Sequence, residues 1–438
     1  MIVRAIVGVA VGIAAATTLP PNHLPGMALA LAVLFALTAR AHDVREAFWV
    51  GAATGVGFFA LHILWLPASF ADLLGAVFWP LFPLLVAALG AIWGLTTGLA
   101  RGLGGPGLGT LWILVPLWPF VEWLRGLGFL GFPWGTVGYT WLDSPVAQWA
   151  DIAGVQGLSL FTTLLAALLA VPFASITTRR GALAYHYRFG YGGTLRGSMQ
   201  SRWRSWLTVP LAAGLVALAW WGGDLRGRWL DITMQTPDRT ALLVQGNIDP
   251  FGRAVGAALE LDVHVDLSRA GAAANDPAPD LIIWPEGAAL GSPLEGFLGT
   301  RARDMIQAAA PDAVFVVGGR ATVPGGGANA VYAMRNAAIL DRYDKFVLVP
   351  FGERWPLLEA FAPVYRAIFG LFGLPLLSNT VPGTGPTTLD LVDTSLAAYV
   401  CYESGFPRIP RTMVAQGASV LVNVTNDAWF ARGNGAEQ

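Results

Sequence analysis

The chain is 438 residues long with a formal net charge of -1, and 55% of its residues are hydrophobic while only 13% are charged. Roughly a quarter of a soluble domain is charged, so part of this protein is expected to lie in lipid, and the balanced charge gives no indication of a nucleic-acid partner. The single cysteine, Cys401, excludes an intrachain disulfide and a thiolate metal cluster.

Other common catalytic signatures are missing from the sequence. The five histidines form no HExxH pair, and four of them fall in the apolar N-terminal half, which argues against zinc hydrolysis and Ser-His-Asp chemistry. There is no GxSxG elbow, no Walker loop and no GxGxxG after a strand. We therefore expect neither a metal nor a cofactor.

The N-terminal half is a series of apolar spans separated by short polar breaks. A helix needs about 20 apolar residues to cross a bilayer core of about 30 Å. We predict seven transmembrane helices, at about 2–19, 24–39, 47–69, 73–100, 108–126, 155–176 and 206–222.

The arginines predict how these spans are oriented, because Lys and Arg accumulate in cytoplasmic loops. In a seven-span arrangement Arg125 is essentially alone on one side. The opposite side holds Arg4, Arg40, Arg45, Arg101, Arg179, Arg180, Arg188, Arg196, Arg202 and Arg204. The N-terminus is therefore expected in the cytoplasm and everything after about residue 223 outside, which in a two-membrane bacterium is the periplasm.

The outward loop 126–157 is rich in glycine and aromatic residues. One interpretation is an interfacial aromatic belt, and the other is a re-entrant surface that shapes a lipid-accessible cavity. The sequence leaves both open.

After a linker at 226–239 the pattern changes, and we predict an α/β domain over 240–438 beside the membrane domain 1–225. Strands are predicted at 241–245, 281–284, 313–317, 329–340, 387–400 and 418–424, with a helix at about 252–274. Reactive side chains are expected where such strands end.

A further helix is predicted from Ser292. Ser292 as N-cap, Pro293 at the first position and Glu295 three residues after the cap have the spacing of a capping box. Apolar residues then recur on one helical face, at Leu294, Phe297, Leu298, Ala302, Met305 and Ile306.

Three polar residues stand at or near predicted strand ends: Glu286, Lys345 and Cys401. A thiol of pKa about 8.5 needs a base or a nearby cation to become a nucleophile at neutral pH. Glu286 could take its proton, and Lys345 could stabilise the thiolate and then an oxyanion. Each also has a plain structural explanation, as a buried filler cysteine, a surface carboxylate and a solvated lysine in a turn.

Four motifs occur in this order: Trp284-Pro285-Glu286, Tyr343-Asp344-Lys345 with the following 349–353, Cys401-Tyr402-Glu403, and the segment 423–430. Together they resemble the motifs of the apolipoprotein N-acyltransferase family, a membrane-bound branch of the nitrilase superfamily. Their order, behind a multi-span membrane region, extends the resemblance over nearly the whole chain.

The resemblance implies an αββα nitrilase-like domain with Glu286 as general base, Lys345 as oxyanion stabiliser and Cys401 as nucleophile. It also implies supporting roles for Glu353, Tyr402 and Glu403. Contact with the substrate or acyl chain is implied for Trp284, Asn426, Trp429 and Phe430. For Trp429 and Phe430, ordinary core packing is the alternative.

The implied reaction is acyl transfer in two steps through a thioester on Cys401. The donor would be a phospholipid, with phosphatidylethanolamine expected, and the acceptor the α-amino group of an S-diacylglyceryl cysteine at the N-terminus of an apolipoprotein. The expected location is the inner membrane, with the catalytic domain on the periplasmic side.

Two other expectations concern the C-terminal half. The apolar stretch 355–377 could be a lid that dips into the outer leaflet or an internal core helix. Members of the family continue past the segment 423–430, so the sandwich is expected to be incomplete at Gln438.

Two rival functions remain open from the sequence. One is a membrane-tethered amidase or nitrilase that uses the same three residues on a small amide. The other is a non-catalytic seven-span transporter or scaffold with an outer binding domain, for which replacing Cys401 would change nothing.

Overall fold

The structure is a computed structural model that describes residues 1–23, 26–69, 78–128, 130–174, 202–234, 239–248, 257–355, 357–371, 380–430 and 435. The chain divides into two compact units. The first comprises Met1–Leu127, Phe132–Met234 and Arg432–Gln438, and the second comprises Gly128–Gly131 and Gln235–Ala431.

The first unit is helical, and each predicted span contains a helix. The helices are α1 (Ile2–Ala16), α2 (Met27–Ala39), α3 (Val44–His62), α4 (Phe78–Gly104), α5 (Leu108–Arg125), α6 (Ala150–Ala174) and α7 (Thr208–Thr233), with a single turn at Arg202–Ser205. Among the described residues, three helical stretches are long and apolar enough to cross a membrane: Trp79–Gly104, Pro145–Ala174 and Thr208–Thr233. The predicted end of the last span at 222 is too early, since α7 continues to Thr233.

Small residues let these helices approach closely. A Cβ on Gly12 of α1 would lie 2.0 Å from the carbonyl oxygen of Thr54 in α3, and one on Gly51 would lie 2.0 Å from Oγ1 of Thr97 in α4. Close backbone contact at small residues is how helices gain packing energy in lipid, where burial of apolar surface between helices supplies little.

The aromatic segment between α5 and α6 is held by polar side chains of those helices. Glu122 Oε1 accepts a hydrogen bond from the Val137 amide at 2.9 Å, and Ser159 Oγ accepts one from the Gly138 amide at 3.0 Å. Val137 is fully buried. The segment therefore contributes to the interior of the first unit and forms two short 3-10 helices, Val137–Trp141 and Pro145–Trp149.

In its described residues the second unit contains two β-sheets and four α-helices. One sheet has the order β1 (Ala241–Leu243), β2 (Leu281–Ile283), β3 (Val314–Val323), β4 (Gly326–Arg335), β5 (Ala338–Asp344). The other has the order β6 (Leu389–Asp390), β7 (Ser395–Val400), β8 (Val420–Val424). The helices are α8 (Ala257–Ala274), α9 (Thr300–Ala309), α10 (Leu358–Leu371) and α11 (Arg408–Ala415).

The pairing of the strands explains why polar residues converge. β1, β2 and β3 are parallel, β3, β4 and β5 are antiparallel, and β7 is parallel to β8. Parallel strands end at a common edge, and side chains that follow them are brought together there. The mixed sheet packs its apolar face into one core that includes Ile282, Trp284, Phe315, Tyr332 and Met334.

The prediction of a helix from Ser292 is wrong in its start. The helix begins at Thr300, and Phe297 and Leu298 are 92% and 80% exposed. Gly296 adopts a φ of 63°, which no helix allows, and the Glu295 carboxylate pairs with Arg342 across the fold. Glu295, which the capping box would need, is therefore engaged in an ion pair with a residue distant in the sequence.

The single strand predicted at 329–340 is also wrong, because it is a hairpin. Asn336 and Ala337 both have positive φ, 53° and 59°, and join β4 to β5. Two such residues in a row match the twist of the flanking strands. The turn is tied to α9, since the Ala337 carbonyl accepts a hydrogen bond from Arg303 Nε at 2.8 Å.

Candidate active site

Glu286 lies directly after β2, on a segment that crosses β3 at close range. The Trp284 amide donates to the Val316 carbonyl at 2.8 Å, which continues the β2–β3 pairing up to the Pro285-Glu286 step. Gly318 makes the approach possible, since a Cβ there would lie 2.2 Å from the Pro285 carbonyl oxygen and 2.8 Å from Glu286 Cα. The backbone of β3 therefore sets the position of the carboxylate.

Lys345 follows β5 and is almost completely buried, with its side chain 1% exposed. Its amide donates to the Asn329 carbonyl at 2.8 Å, and its own carbonyl accepts from the Gly383 amide at 2.9 Å. Both main-chain groups are thus fixed, and only the side chain extends into the site.

The lysine ammonium lies between two carboxylates. Lys345 Nζ is 3.2 Å from Glu286 Oε1 and 3.0 Å from each oxygen of Glu353. Burial alone would lower the pKa of Lys345, but the charges of Glu353 and Glu286 outweigh it and raise that pKa above its usual value. Lys345 is therefore a permanent cation in the resting site.

Glu353 is anchored by a tight turn after Lys345. Its Oε2 accepts a hydrogen bond from the Val349 amide, and its own amide donates to the Val349 carbonyl, both at 2.9 Å. Phe351 inside this turn has a φ of 62°. The structure brings Glu353 into contact with Lys345, and its supporting role stays a prediction.

Asn329 completes the group, and the sequence analysis missed it. Its Nδ2 is 2.7 Å from Glu286 Oε1 and 2.9 Å from Glu353 Oε1. It stands on β4 among alanines and glycines, where one amide side chain carries no pattern of its own. Only the pairing of β4 with β5 reveals its proximity to Lys345.

Cys401 directly follows β7 and has a left-handed backbone conformation, with a φ of 50°. Non-glycine residues rarely adopt it, and where they do the surrounding structure must hold them. Burial and the Glu286 charge raise the pKa of the Cys401 thiol to about 12, and Lys345 and a hydrogen bond with Thr425 oppose that rise. The resting residue is therefore a neutral thiol that needs a base.

Glu403, fully buried, links the end of β7, next to Cys401, to the segment that follows Lys345. Its Oε2 accepts from the amide of Val400 at 2.8 Å, and its Oε1 accepts from the amides of Phe346 and Val347 at 2.8 and 2.9 Å. Tyr343 donates its hydroxyl to the same Oε1 at 2.8 Å. Burial raises the pKa of Glu403, and these donors oppose the rise by stabilising the carboxylate.

Tyr402 packs in the same unit beside Cys401. Its ring is 7% exposed and makes an edge contact with Phe406, and its hydroxyl donates to the Gly131 carbonyl. The Tyr402 side chain is therefore held by interactions at both its ring and its hydroxyl.

The four residues predicted to contact substrate lie in different surroundings. Trp284 is fully buried in the core and donates its indole N–H to Ser268 Oγ at 2.8 Å, so we do not retain it as a substrate contact. Asn426 and Phe430 lie just after β8, partly buried. The side chain of Trp429 lies outside the described part of the structure.

The arrangement supplies a thiol, a carboxylate that can take its proton and a fixed cation near both. In the described residues, no three His, Cys, Asp or Glu side chains group as a metal site, and the two carboxylates bind Lys345 instead. Nucleophilic attack of the thiol on a carbonyl, with the oxyanion stabilised by the lysine, is the chemistry that this set of groups suits.

Comparison with known proteins gives two family matches. The family described as Apolipoprotein N-acyltransferase N-terminal domain matches residues 11–168, and Carbon-nitrogen hydrolase matches residues 240–438. These two segments include most of both structural units.

Relatives match over nearly the full chain. An apolipoprotein N-acyltransferase of Caulobacter vibrioides is 31% identical, covering 98% of this chain and 77% of the relative. One of Chromobacterium violaceum is 31% identical over 94% of this chain and 73% of the relative. A solved carbon-nitrogen hydrolase from Helicobacter pylori aligns at a TM-score of 0.31 and 15% identity, over 43% of this chain and 59% of that one.

Proposed function

Because this chain belongs to the apolipoprotein N-acyltransferase family, we infer that it is a membrane-bound acyltransferase that N-acylates lipoproteins with an acyl chain from a lipid donor. The resemblance recognised in the sequence is confirmed by these relatives, and so is the combination of a helical membrane domain with a nitrilase-like α/β domain. The proposals below concern the residues, the donor and the location.

The observation that carries the catalytic proposal is the contact of Lys345 Nζ with both Glu286 and Glu353, beside a cysteine whose pKa is raised. We propose Cys401 as nucleophile, Glu286 as general base and Lys345 as oxyanion stabiliser. Glu353 positions the lysine, Glu403 positions the nucleophile, and Tyr402 packs behind it. Asn426, Trp429 and Phe430 remain proposed contacts for the substrate or acyl chain.

In the first step Cys401 Sγ bonds to the ester carbonyl carbon of a phospholipid while its proton passes to Glu286. The carbonyl oxygen becomes an oxyanion, which Lys345 stabilises. Collapse breaks the bond to the glycerol oxygen, which takes the proton from Glu286 and leaves as part of a lysophospholipid. The acyl chain remains on Cys401 as a thioester.

In the second step the neutral α-amino group of the lipoprotein attacks the thioester carbonyl. An amine proton passes to Glu286, and collapse of the intermediate forms the amide and breaks the carbon–sulfur bond. The departing thiolate takes that proton and restores Cys401. One carboxylate thus carries the proton in both directions, as general acid–base catalysis requires.

The finer assignments rest on the family resemblance and on the arginine distribution. We propose phosphatidylethanolamine as donor, S-diacylglyceryl cysteine as acceptor, and an inner-membrane location with the catalytic domain 240–438 in the periplasm. The arginine distribution supports this orientation. The domain limits 1–225, 226–239 and 240–438 are proposed with it.

The test is mass spectrometry of the full chain after incubation with phosphatidylethanolamine vesicles. We expect one fatty acyl increment on the peptide that contains Cys401, released by hydroxylamine and transferred to a diacylglyceryl-cysteine peptide on its addition. Cys401→Ala should acquire none. A chain that hydrolyses small amides and never acquires the increment would support the amidase instead.

A further inference from the structure

The side chain of Asn329 contacts both carboxylates of the site at once. Nδ2 is 2.7 Å from Glu286 Oε1 and 2.9 Å from Glu353 Oε1. Both partners are acceptors, so the nitrogen of the amide must face them, and its two hydrogens suffice for one bond to each.

The backbone of the same residue binds the cation of the site. The Lys345 amide donates to the Asn329 carbonyl at 2.8 Å, which extends the β4–β5 ladder one residue beyond the pairing of Ala330 with Asp344. Asn329 therefore touches all three charged residues, two through its side chain and one through its main chain.

Four atoms form a closed ring of alternating donors and acceptors. They are Asn329 Nδ2, Glu286 Oε1, Lys345 Nζ and Glu353 Oε1, with neighbouring atoms 2.7 to 3.2 Å apart. Each carboxylate oxygen in the ring is held by one neutral and one charged donor, so neither can rotate away without losing two hydrogen bonds.

The second oxygens of the two carboxylates are used differently. Glu353 Oε2 accepts from the Val349 amide and contacts Lys345. Among the described residues, Glu286 Oε2 accepts no hydrogen bond. Glu286 therefore has one oxygen that is available to accept a proton. Both oxygens of Glu353 have partners, so this carboxylate serves to hold the ring.

A neutral donor is what this position requires. With both glutamates ionised, the ring carries two negative charges and one positive charge. An acidic side chain at 329 would add a third negative charge beside the thiol, and a basic one would compete with Lys345 for the carboxylates. An amide donates twice without changing the charge.

We propose that Asn329 is a positioning residue of this active site, whose amide bridges Glu286 and Glu353, holds one oxygen of Glu286 on the lysine and leaves the other to take the thiol proton. The role rests on the proposed function of Glu286 as base. It acts through Glu286 and needs no contact with substrate.

The test compares Asn329→Ala and Asn329→Asp with the parent chain in two assays. Acylation of Cys401 from phosphatidylethanolamine vesicles reports the proposed function. The pH dependence of Cys401 alkylation by iodoacetamide reports the charges around the thiol whether or not the chain acylates anything. Asn275→Asp, the same substitution at an exposed residue of the second unit, is the matched control.

We expect Asn329→Ala to lower the acylation rate about 10- to 100-fold with little change in the lipid concentration at half-maximal rate, because a mispositioned base affects the chemical step. Asn329→Asp should also slow alkylation several-fold at a fixed pH near 8, because its added negative charge raises the pKa of the thiol further. Asn275→Asp should leave both assays unchanged.

Three results would overturn the proposal. They are an acylation rate within twofold of the parent in Asn329→Ala, an alkylation profile in Asn329→Asp that matches the parent, or equal losses of activity and folded fraction in both variants with no change in the alkylation profile. If Cys401 of the parent chain is alkylated as expected but never acquires an acyl chain, the proposed function fails. The alkylation assay still decides the role of Asn329 in that case.

Discussion

The surroundings of Cys401 keep its thiol neutral. Its raised pKa comes first from burial and then from the Glu286 charge, against the opposing effect of Lys345. A preformed thiolate would be a third negative charge beside Glu286 and Glu353. The proton therefore stays on the sulfur in the resting site, and in the proposed mechanism Glu286 removes it during attack.

Replacing the proposed base should separate thiol reactivity from catalysis. Glu286→Gln removes a charge that raises the thiol pKa, so alkylation of Cys401 near pH 8 should become several-fold faster than in the parent. Acyl transfer should fall by about 100-fold or more, because the proton acceptor is gone. The two rates are measured by iodoacetamide labelling and by thioester formation.

The exposed carboxyl Asp312 provides the control for this pair of measurements, and Asp312→Asn should change neither rate. Slower alkylation in Glu286→Gln would contradict the electrostatic account. Unchanged acylation would remove Glu286 as the base.

Removing the cation should raise the pKa of the thiol, which is the opposite of the effect expected for Glu286→Gln. Lys345→Met takes away a charge that lowers the thiol pKa, so alkylation should become slower while acylation falls about 100- to 1,000-fold, the usual loss for one oxyanion donor. If alkylation became faster in this variant, Lys345 would not be acting on the thiol.

At the scale of elements, β3 approaches the segment after β2 so closely that there is no room for a side chain at Gly318. Gly318→Ala would place a Cβ 2.2 Å from the Pro285 carbonyl oxygen, so the backbone that carries Glu286 must move. We expect a loss of about 1–3 kcal/mol in unfolding free energy and a larger loss of acylation. Thermal unfolding and thioester formation measure the two.

The neighbouring glycine on the same strand serves as the comparison. A Cβ on Gly319 would meet side-chain atoms of Tyr332 and Leu294 at 3.5 and 3.6 Å, which is ordinary contact. Gly319→Ala should keep most of the activity. Equal losses in the two variants would mean that β3 tolerates no alanine and that the Pro285 contact is not special.

Helix α10 occupies the apolar stretch that the sequence assigned to either a lid or a core helix. Phe361 and Val364 are 49% and 52% exposed, so the helix is not a core helix within the described structure. We expect Phe361→Asp to slow acylation from phospholipid vesicles several-fold while alkylation of Cys401 stays unchanged. Equal acylation rates would exclude a role for this face in contact with lipid.

The sequence predicted the parts of the fold that depend on local pattern and missed those that depend on pairing. Long apolar spans gave the helices of the first unit, and strand-end positions brought Glu286, Lys345 and Cys401 to attention. The capping box at Ser292 failed because Glu295 pairs with Arg342, 47 positions away. Asn329 was missed because its two partners are far from it in the sequence: Glu286 follows β2, and Glu353 lies in the turn after β5.

At the scale of the whole molecule, the arginine distribution makes a prediction about orientation. In a Cys401→Ala background, a cysteine at Asp312 should react with a membrane-impermeant maleimide added outside cells with a permeabilised outer membrane. A cysteine at Arg40 should react only after the inner membrane is opened. The reverse pattern would mean that the proposed number of membrane crossings is wrong by one.

Because of the contacts of the buried Glu403 carboxylate, the proposed active site can form only when the domain has folded. The carboxylate binds Val400 on the three-stranded sheet and Phe346 and Val347 beside the five-stranded sheet, so Cys401 and Lys345 come near each other only when the two sheets have come together. A chain still assembling would carry a thiol of ordinary acidity, near pKa 8.5. The time at which alkylation of that thiol becomes slow therefore reports the last stage of folding. Cys401 is the only cysteine in the sequence, so the label is specific to it.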